Sequence, residues 1–318
     1  MKIGFHVNAV SYNDITWEEV CTIAGRASLH TLEPGSGGFV GKKHCNPRIL
    51  LKDQGALERF LEPLKENRLE ISALSCHGNP LHPDRAISKE HEIDIDTSVE
   101  LASKIGVKIV NCFAGCPGLD ADARYPSWIT IRWPQEFYLG LEWQWKEKII
   151  PFWKEKVKRA KDAGIKFGFE MHPGDSVFNP AALLRLREAV AADEISCNLD
   201  PSHLFWQGIN PIVVVKKLKE AIVHVHAKDT KINTSNMEFR GGNSEALFGD
   251  LDTRAWTFRV VGDGHGKDFW RDFIFALNQV GYDYVLSIEH EDPYIALDEG
   301  IKRAAQFIKN LFLEMQTP

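Results

Sequence analysis

The chain has 318 residues, 44% hydrophobic and 26% charged, with a formal net charge of -6. This is the balance of an ordinary globular protein, and its acidic excess offers a polyanionic partner no global attraction. No apolar run is long enough to span a bilayer, so neither a nucleic-acid nor a membrane partner is expected. The opening "MKIGFHVNAV" reads as a first strand, without a signal-peptide core or cleavage site. The six cysteines (Cys21, Cys45, Cys76, Cys112, Cys116 and Cys197) form no C-x-x-C pair and read as reduced, mostly buried thiols, which points to the cytoplasm.

Eight short apolar runs alternate with longer amphipathic ones. In chain order the strands are "KIGFHV" (2–7), "LHTLE" (29–33), "EISALSC" (70–76), "VKIVNCF" (107–113), "IKFGFEM" (165–171), "EISCNL" (194–199), "AIVHVHA" (221–227) and "YVLSIEH" (284–290). Most are rich in Val, Ile and Phe without strict alternation, as in parallel strands covered on both faces. The first helix, 16–27, opens with Thr16 and Glu19 at capping-box spacing. A second spans 55–68, where Pro63 is expected to kink or break it. Helices at 98–106 and 145–164 stop at glycines, and further ones follow at 181–192, 211–221, 267–281 and 296–315.

Eight strands each followed by a helix predict a (β/α)₈ barrel, a single domain over 1–318. An open doubly wound sheet is disfavoured, because the first strand–helix junction lacks G-x-G-x-x-G. Two connections, 114–144 and 228–266, are too long for ordinary loops. Both follow strands, so both belong to the C-terminal face, where barrel enzymes do their chemistry. The first carries Tyr125, Trp128, Trp133, Phe137 and Tyr138, and reads either as an aromatic wall over a sugar-like ligand or as a self-packed flap or oligomer contact.

Metal-competent side chains gather at the ends of the last four strands: Glu170 and His172, Asp200 and His203, His224 and His226 with Lys228 and Asp229, and Glu289 with His290. Any one of them has a bland explanation as a buried hydrogen-bonded histidine or a helix-capping acid. Together on one rim they would pile up uncompensated negative charge, which a divalent cation relieves. Oxygen ligands with one imidazole suit Mn²⁺ first, with Mg²⁺, Co²⁺ and Zn²⁺ as alternatives.

The segments "FEMHPGD", "NLDPSHLFWQG", "VHVHAKDT", "VVGDGHGKDFW" and "VLSIEHEDP" resemble the xylose-isomerase-like TIM barrels, the sugar isomerases, epimerases and endonuclease IV. The resemblance covers nearly the whole chain. It implies one divalent metal held by Glu170, Asp200, His226 and Glu289, with His203 facing the substrate. It also implies that Glu170 and Glu289, on opposite faces of the substrate, take and return the proton next to a carbonyl while the metal acts as Lewis acid. His77, His172, Lys228 and Arg259 are candidate donors to sugar oxygens. Lys228 could instead be a solvated ion pair, and Arg259 a loop anchor.

The expected function is thus a metal-dependent sugar isomerase or epimerase. A lyase acting on 3-keto sugars or C-glycosides needs the same ligands and stands as the alternative. A phosphodiesterase like endonuclease IV would use His77 and the Asp263–His265 pair, but "IVNCFAG" offers no fourth-strand histidine and the acidic balance argues against DNA. A non-catalytic accessory subunit is the last reading, against which none of the four ligands is missing. The partner is a small sugar or keto sugar, and the assembly a homo-oligomer, with a hetero-oligomer as the alternative.

Overall fold

The structure, a computed structural model, describes residues 1–8 and 15–316. Part of the first strand–helix junction, 9–14, lies outside the described residues. The strands are β1 (Lys2–His6), β2 (Thr31–Glu33), β3 (Glu70–Ile71), β4 (Leu74–Cys76), β5 (Ile109–Cys112), β6 (Lys166–Glu170), β7 (Ile195–Leu199), β8 (Ile222–Ala227), β9 (Asp229–Ile232), β10 (Trp256–Arg259) and β11 (Val285–Ile288). Nine of them form one parallel sheet in the order β3-β2-β1-β11-β8-β7-β6-β5-β4. β3 and β4 are the two halves of the single strand expected at 70–76, broken at Ser72–Ala73. Beyond that break β4 meets the end of β2: Ser36 N donates to Ser75 O at 2.7 Å and Ser75 N to Pro34 O at 3.0 Å. The sheet therefore closes almost completely, with helices around it, as a (β/α)₈ barrel.

Register reveals an alternation that the apolar runs conceal. Gly4 pairs with Ser287 and Ser287 with His226; Ser75 pairs with Asn111 and Asn111 with Gly168; Glu170 pairs with Asn198 and Asn198 with His224. Paired residues of parallel strands share a face. The barrel lumen is thus lined by glycine, serine, asparagine, histidine and glutamate in place of the usual aliphatic layers. The other face (Ile3, Phe5, Leu32, Leu74, Val110, Phe167, Phe169, Val225, Leu286 and Ile288) is buried under the helices. Gly168 serves the lumen by its size, since a Cβ there would lie 2.2 Å from Asn111 Oδ1.

The helices mostly fall where expected. Thr16 and Glu19 form the full capping box on the helix Trp17–Arg26. Four details differ. The helix Gln54–Glu66 runs through Pro63, whose ring is buried near the helix end, so Pro63 does not break it. The helix expected at 98–106 begins much earlier, at Arg85, capped by Asp84. The one expected at 145–164 is preceded by the helix Gln135–Trp143 and a π-helical turn over Gln144–Ile149, then continues over Ile150–Ala163. The connection 228–266 is no plain loop either: β9 and β10 form an antiparallel ribbon, with the helix Thr234–Arg240 between them.

That ribbon is organised by one buried carboxylate. Asp229 Oδ2 accepts from the backbone of Gly262, Gly264 and His265 and from Trp270 Nε1, at 3.0, 3.2, 2.9 and 3.0 Å. Its other oxygen meets His265 Nδ1 at 2.9 Å. All six cysteines are free and buried. Burial pushes the Cys116 thiol up to about 12 and holds Cys112 well above its usual range, so neither is an activated thiol. No helix among the described residues is long and apolar enough to cross a membrane.

Candidate metal centre

The C-terminal ends of β6, β7, β8 and β11 deliver four candidate ligand residues to one place. Single ligand atoms of Glu170, Asp200, His226 and Glu289 all lie within 4.8 Å of one another, and all four residues are buried. Ligands of one ion with bonds of about 2.1 Å sit roughly 3–4 Å apart, so the spacing suits a shared cation. His226 Nδ1 is 3.2 Å from Glu170 Oε2 and 3.0 Å from Glu289 Oε2. Asp200 Oδ1 is held by the Ser202 backbone N–H at 2.7 Å, which leaves Oδ2 turned to the cluster. Asp200 Oδ2 is buried with no hydrogen-bond partner, and Glu289 Oε2 has none but the ring nitrogen of His226, itself a candidate ligand. Orphaned carboxylate oxygens facing one point fit an oxygen-rich divalent metal site.

The electrostatics carry the same strain. Burial disfavours the charged form of every acid here. At Glu170 that penalty is outweighed by His77, His203 and His226, and at Glu289 by Lys228 and His226, so both stay well below the usual carboxylate range. Asp200 goes the other way. Burial, opposed by Lys228 but reinforced by Glu170 and Glu289, pushes it up to about 8. Burial opposes a charge on His226 too, but Glu33, Glu289 and Glu170 around it raise its pKa well above the ordinary value. Too many carboxylates crowd too few cations, the imbalance that a divalent ion corrects.

A cavity of about 290 Å³ opens over these ligands, lined by His6, His77, His172, His203 and Lys228, with Phe39, Phe113, Phe248 and Phe258 as its apolar walls. His77 Nε2 lies 3.0 Å from Glu170 Oε2, and its Nδ1 meets Ser75 Oγ at 2.7 Å. His203 Nε2 meets Glu170 Oε1 at 3.1 Å; burial pushes its pKa down to about 3, so it is neutral. His172 packs edge-on against His203 with ring centroids 4.2 Å apart. Lys228 is buried rather than solvated: Nζ lies 3.3 Å from Glu289 Oε1 and 3.0 Å from Glu291 Oε2, and 4.2 Å over the Phe258 ring.

The remaining candidates lie elsewhere. Arg259 does not line the cavity; Nε donates to Asp292 Oδ2 at 2.8 Å, which makes it an anchor of the ribbon. His290 faces the Ile295 carbonyl at 3.0 Å. His224 sits deeper in the barrel, between Asn198 Oδ1 and Ser72 Oγ at 3.0 and 3.2 Å. His265 is turned to Asp229 and stacked on Phe205, and Asp263 pairs with Arg303, so the "GDGHG" residues do not reach the cluster. The aromatic residues of 114–144 are not the cavity wall: Tyr125 and Trp133 are 77% and 78% exposed, and Trp128 packs on Phe178.

Sequence reasoning passed over Glu33 and His6. Glu33 ends β2 in "TLE", the same apolar strand closing on an acid that marks Glu170 and Glu289, so the signal was present. His6 stacks on His226 with ring centroids 4.9 Å apart. Glu291, Phe248 and Phe258 carry no local signal, because only the fold of the ribbon and of the segment after β11 brings them to the cavity.

Residues 39–311 match the family model described as xylose isomerase-like TIM barrel. The chain belongs to the xylose isomerase-like TIM barrel family. Among its relatives is the Bacillus subtilis (strain 168) uncharacterized protein YfiH, 33% identical over 97% of this chain and 98% of its own length. A Clostridium botulinum (strain Alaska E43 / Type E3) inosose dehydratase is 33% identical over 160 residues, which is 47% of this chain and about half, 49%, of that protein. Two solved structures share the fold along nearly the full chain. The IOLI protein with a binding zinc atom has a TM-score of 0.65, 17% identity and full coverage of both chains. A D-tagatose 3-epimerase-like protein has a TM-score of 0.65 and 18% identity, covering 99% of this chain and 98% of that one. At those identities the likeness speaks to fold alone.

Proposed function

We propose that this protein is a divalent-metal-dependent enzyme that removes the proton next to the carbonyl of a sugar-like keto polyol, returning it as an epimer or isomer. One observation carries the reading. Glu170, Asp200, His226 and Glu289 converge with orphaned carboxylate oxygens beneath a cavity of sugar size and mixed polar and aromatic lining. Glu170, Asp200, His226 and Glu289 would hold the ion, with Mn²⁺ the first choice and Mg²⁺, Co²⁺ or Zn²⁺ as alternatives. When bound, such an ion supplies Lewis acidity that acidifies the neighbouring C–H and balances the negative charge of the enediolate.

The chain's own groups do the rest. Glu170 and Glu289 end strands β6 and β11, which sit three strand steps apart in the sheet, and so face the cavity from two directions. One takes the proton and the other delivers it. His77 and His203 each touch a Glu170 oxygen, which orients that carboxylate. His172, whose Nδ1 donates to the Pro173 carbonyl at 2.7 Å, accepts from a substrate hydroxyl through Nε2, and Lys228 donates to a substrate oxygen. Phe113, Phe248 and Phe258 exclude water and stack on the apolar face of the polyol.

A second reading, loss of water from the same enediolate, is favoured by the similarity to inosose dehydratase. It shares the proton abstraction and differs only in whether a hydroxyl leaves from the next carbon. Incubation of Mn²⁺-loaded protein with inosose and with D-tagatose in D₂O separates the two. Deuterium uptake in a product that keeps every hydroxyl supports epimerisation or isomerisation, and an ultraviolet-absorbing enone that has lost one water supports dehydration. Absence of both, across a panel of keto polyols and with metal retained, would overturn the proposal in favour of a non-catalytic subunit.

A further inference from the structure

We infer that Glu33 is a positioning residue that fixes the tautomer and ring orientation of His226, so that Nδ1 is the atom presented to the metal. The inference rests on the metal-site reading above. Glu33 is completely buried at the end of β2 and reaches across the lumen to β8. Its Oε2 lies 3.0 Å and its Oε1 3.2 Å from His226 Nε2. Asn111 Nδ2 donates to Oε1 at 2.8 Å and Ser287 Oγ to Oε2 at 2.9 Å, so the carboxylate is pinned from two further strands.

An ionised carboxylate only accepts, so a ring nitrogen beside one carries a proton; a cation among Glu170, Asp200 and Glu289 would take the place of the proton on Nδ1, whereas nothing displaces the one that Nε2 donates to Glu33. Asn198 Nδ2 also lies 3.1 Å from His226 Nε2, but an amide donor is the weaker neighbour beside a charged acceptor. With a cation bound and the proton kept on Nε2, the lone pair of His226 would sit on Nδ1, the atom that faces Glu170 and Glu289. The stacked ring of His6, 18° from parallel, keeps the imidazole in that plane. Glu33 also makes the ring a stronger ligand by polarising its N–H. A second candidate ligand group, Glu33 with His224 and His226, is already filled by hydrogen bonds: His224 is taken by Asn198 and Ser72, and Glu33 by its donors. A buried charge among the lumen residues is costly and gains nothing as mere filler.

The test uses the full chain as wild type, Glu33→Gln and Glu33→Ala. Co²⁺ binding is followed by its d–d absorption, and the histidine tautomers of the Zn²⁺-loaded protein by ¹⁵N NMR. Loss of an outer-shell partner of a metal-bound histidine costs roughly 10- to 100-fold in affinity. Glu33→Gln, which keeps an acceptor, is expected near the lower end, with His226 still protonated on Nε2. Glu33→Ala is expected near the upper end, with an altered Co²⁺ spectrum and mixed His226 tautomers. If Glu33→Ala does not fold, the affinity loss and tautomer in Glu33→Gln decide. Wild-type affinity and spectrum in the folded variants, or metal on Nε2, overturns the role of Glu33 while leaving the site intact. Failure of the wild type to bind Co²⁺ in a way that Glu289→Gln weakens overturns the metal site itself, and this inference with it.

Discussion

At the scale of single residues, the site brings together carboxylates whose environments differ. Glu170 and Glu289 stay ionised because histidines and Lys228 outweigh burial, whereas Asp200 is pushed up. Glu170→Gln or Glu289→Gln removes both a ligand and the proposed acid–base group. Each should abolish deuterium exchange into substrate, a loss of at least about 10³-fold, and lower the bound metal measured by elemental analysis. A variant with full metal content and full exchange would remove that residue from both roles. Asp175 offers a cleaner titration. Burial raises it from 3.8 to about 7, against the pull of the Val177 and Gly115 backbone N–H groups. The folded protein thus keeps a proton that the unfolded chain has released, so the stability this provides is complete below about pH 4 and is lost as pH rises through 7. Between pH 5 and pH 8, Asp175→Asn should gain about 2–3 kcal/mol relative to wild type in urea unfolding. A difference that does not change with pH would show that Asp175 is ionised in the fold.

At the scale of elements, the strands are two-faced. One face of each packs on helices, and the other builds the polar lumen. Gly168 tests this directly. In Gly168→Ala a Cβ would press on Asn111 Oδ1 at 2.2 Å, which should cost about 1–3 kcal/mol in chemical denaturation. An unchanged midpoint would mean the lumen has slack. The β9–β10 ribbon stands on Asp229, to which four N–H donors turn. Asp229→Ala should loosen the ribbon, lower stability by about 2–4 kcal/mol, and raise KM through Phe258, which lines the cavity, while the four ligand residues keep their metal. Metal loss in that variant would mean that the ribbon also supports the ligands.

The alternation along these strands was legible in the residues themselves. "FGFE", "SCNL" and "HVHA" each alternate bulky or apolar side chains with small or polar ones. Read for hydrophobicity alone, they pass for strands apolar on both faces, because glycine, serine and cysteine blur the period. The acid closing "TLE" was equally visible, yet Glu33 lies far in sequence from the candidate ligand residues, and nothing local ties it to His226. Arg259 shows the opposite case: a basic residue in a promising loop, whose partner Asp292 is 33 positions away.

At the scale of the whole molecule, the metal and the fold should be coupled, because an ion held at the ends of four strands would stabilise the closed barrel. EDTA should abolish turnover and lower the Tm. Mn²⁺ or Co²⁺ should restore both, with about 2.7 kcal/mol of stabilisation at a hundredfold excess over Kd. Full activity in protein verified as metal-free would exclude the proposed chemistry.

The barrel and most helices follow from periodicity and caps, and the four clustered residues from strand-end residue types together with the family resemblance, because those signals are local and each residue carries its own. What the cavity is made of does not. The reach of Glu33 across the lumen, the burial of Lys228, the phenylalanine walls and the turning away of Arg259 and His265 all depend on which strand lies beside which. That was decided only when the sheet closed and set distant side chains within 3–4 Å of each other.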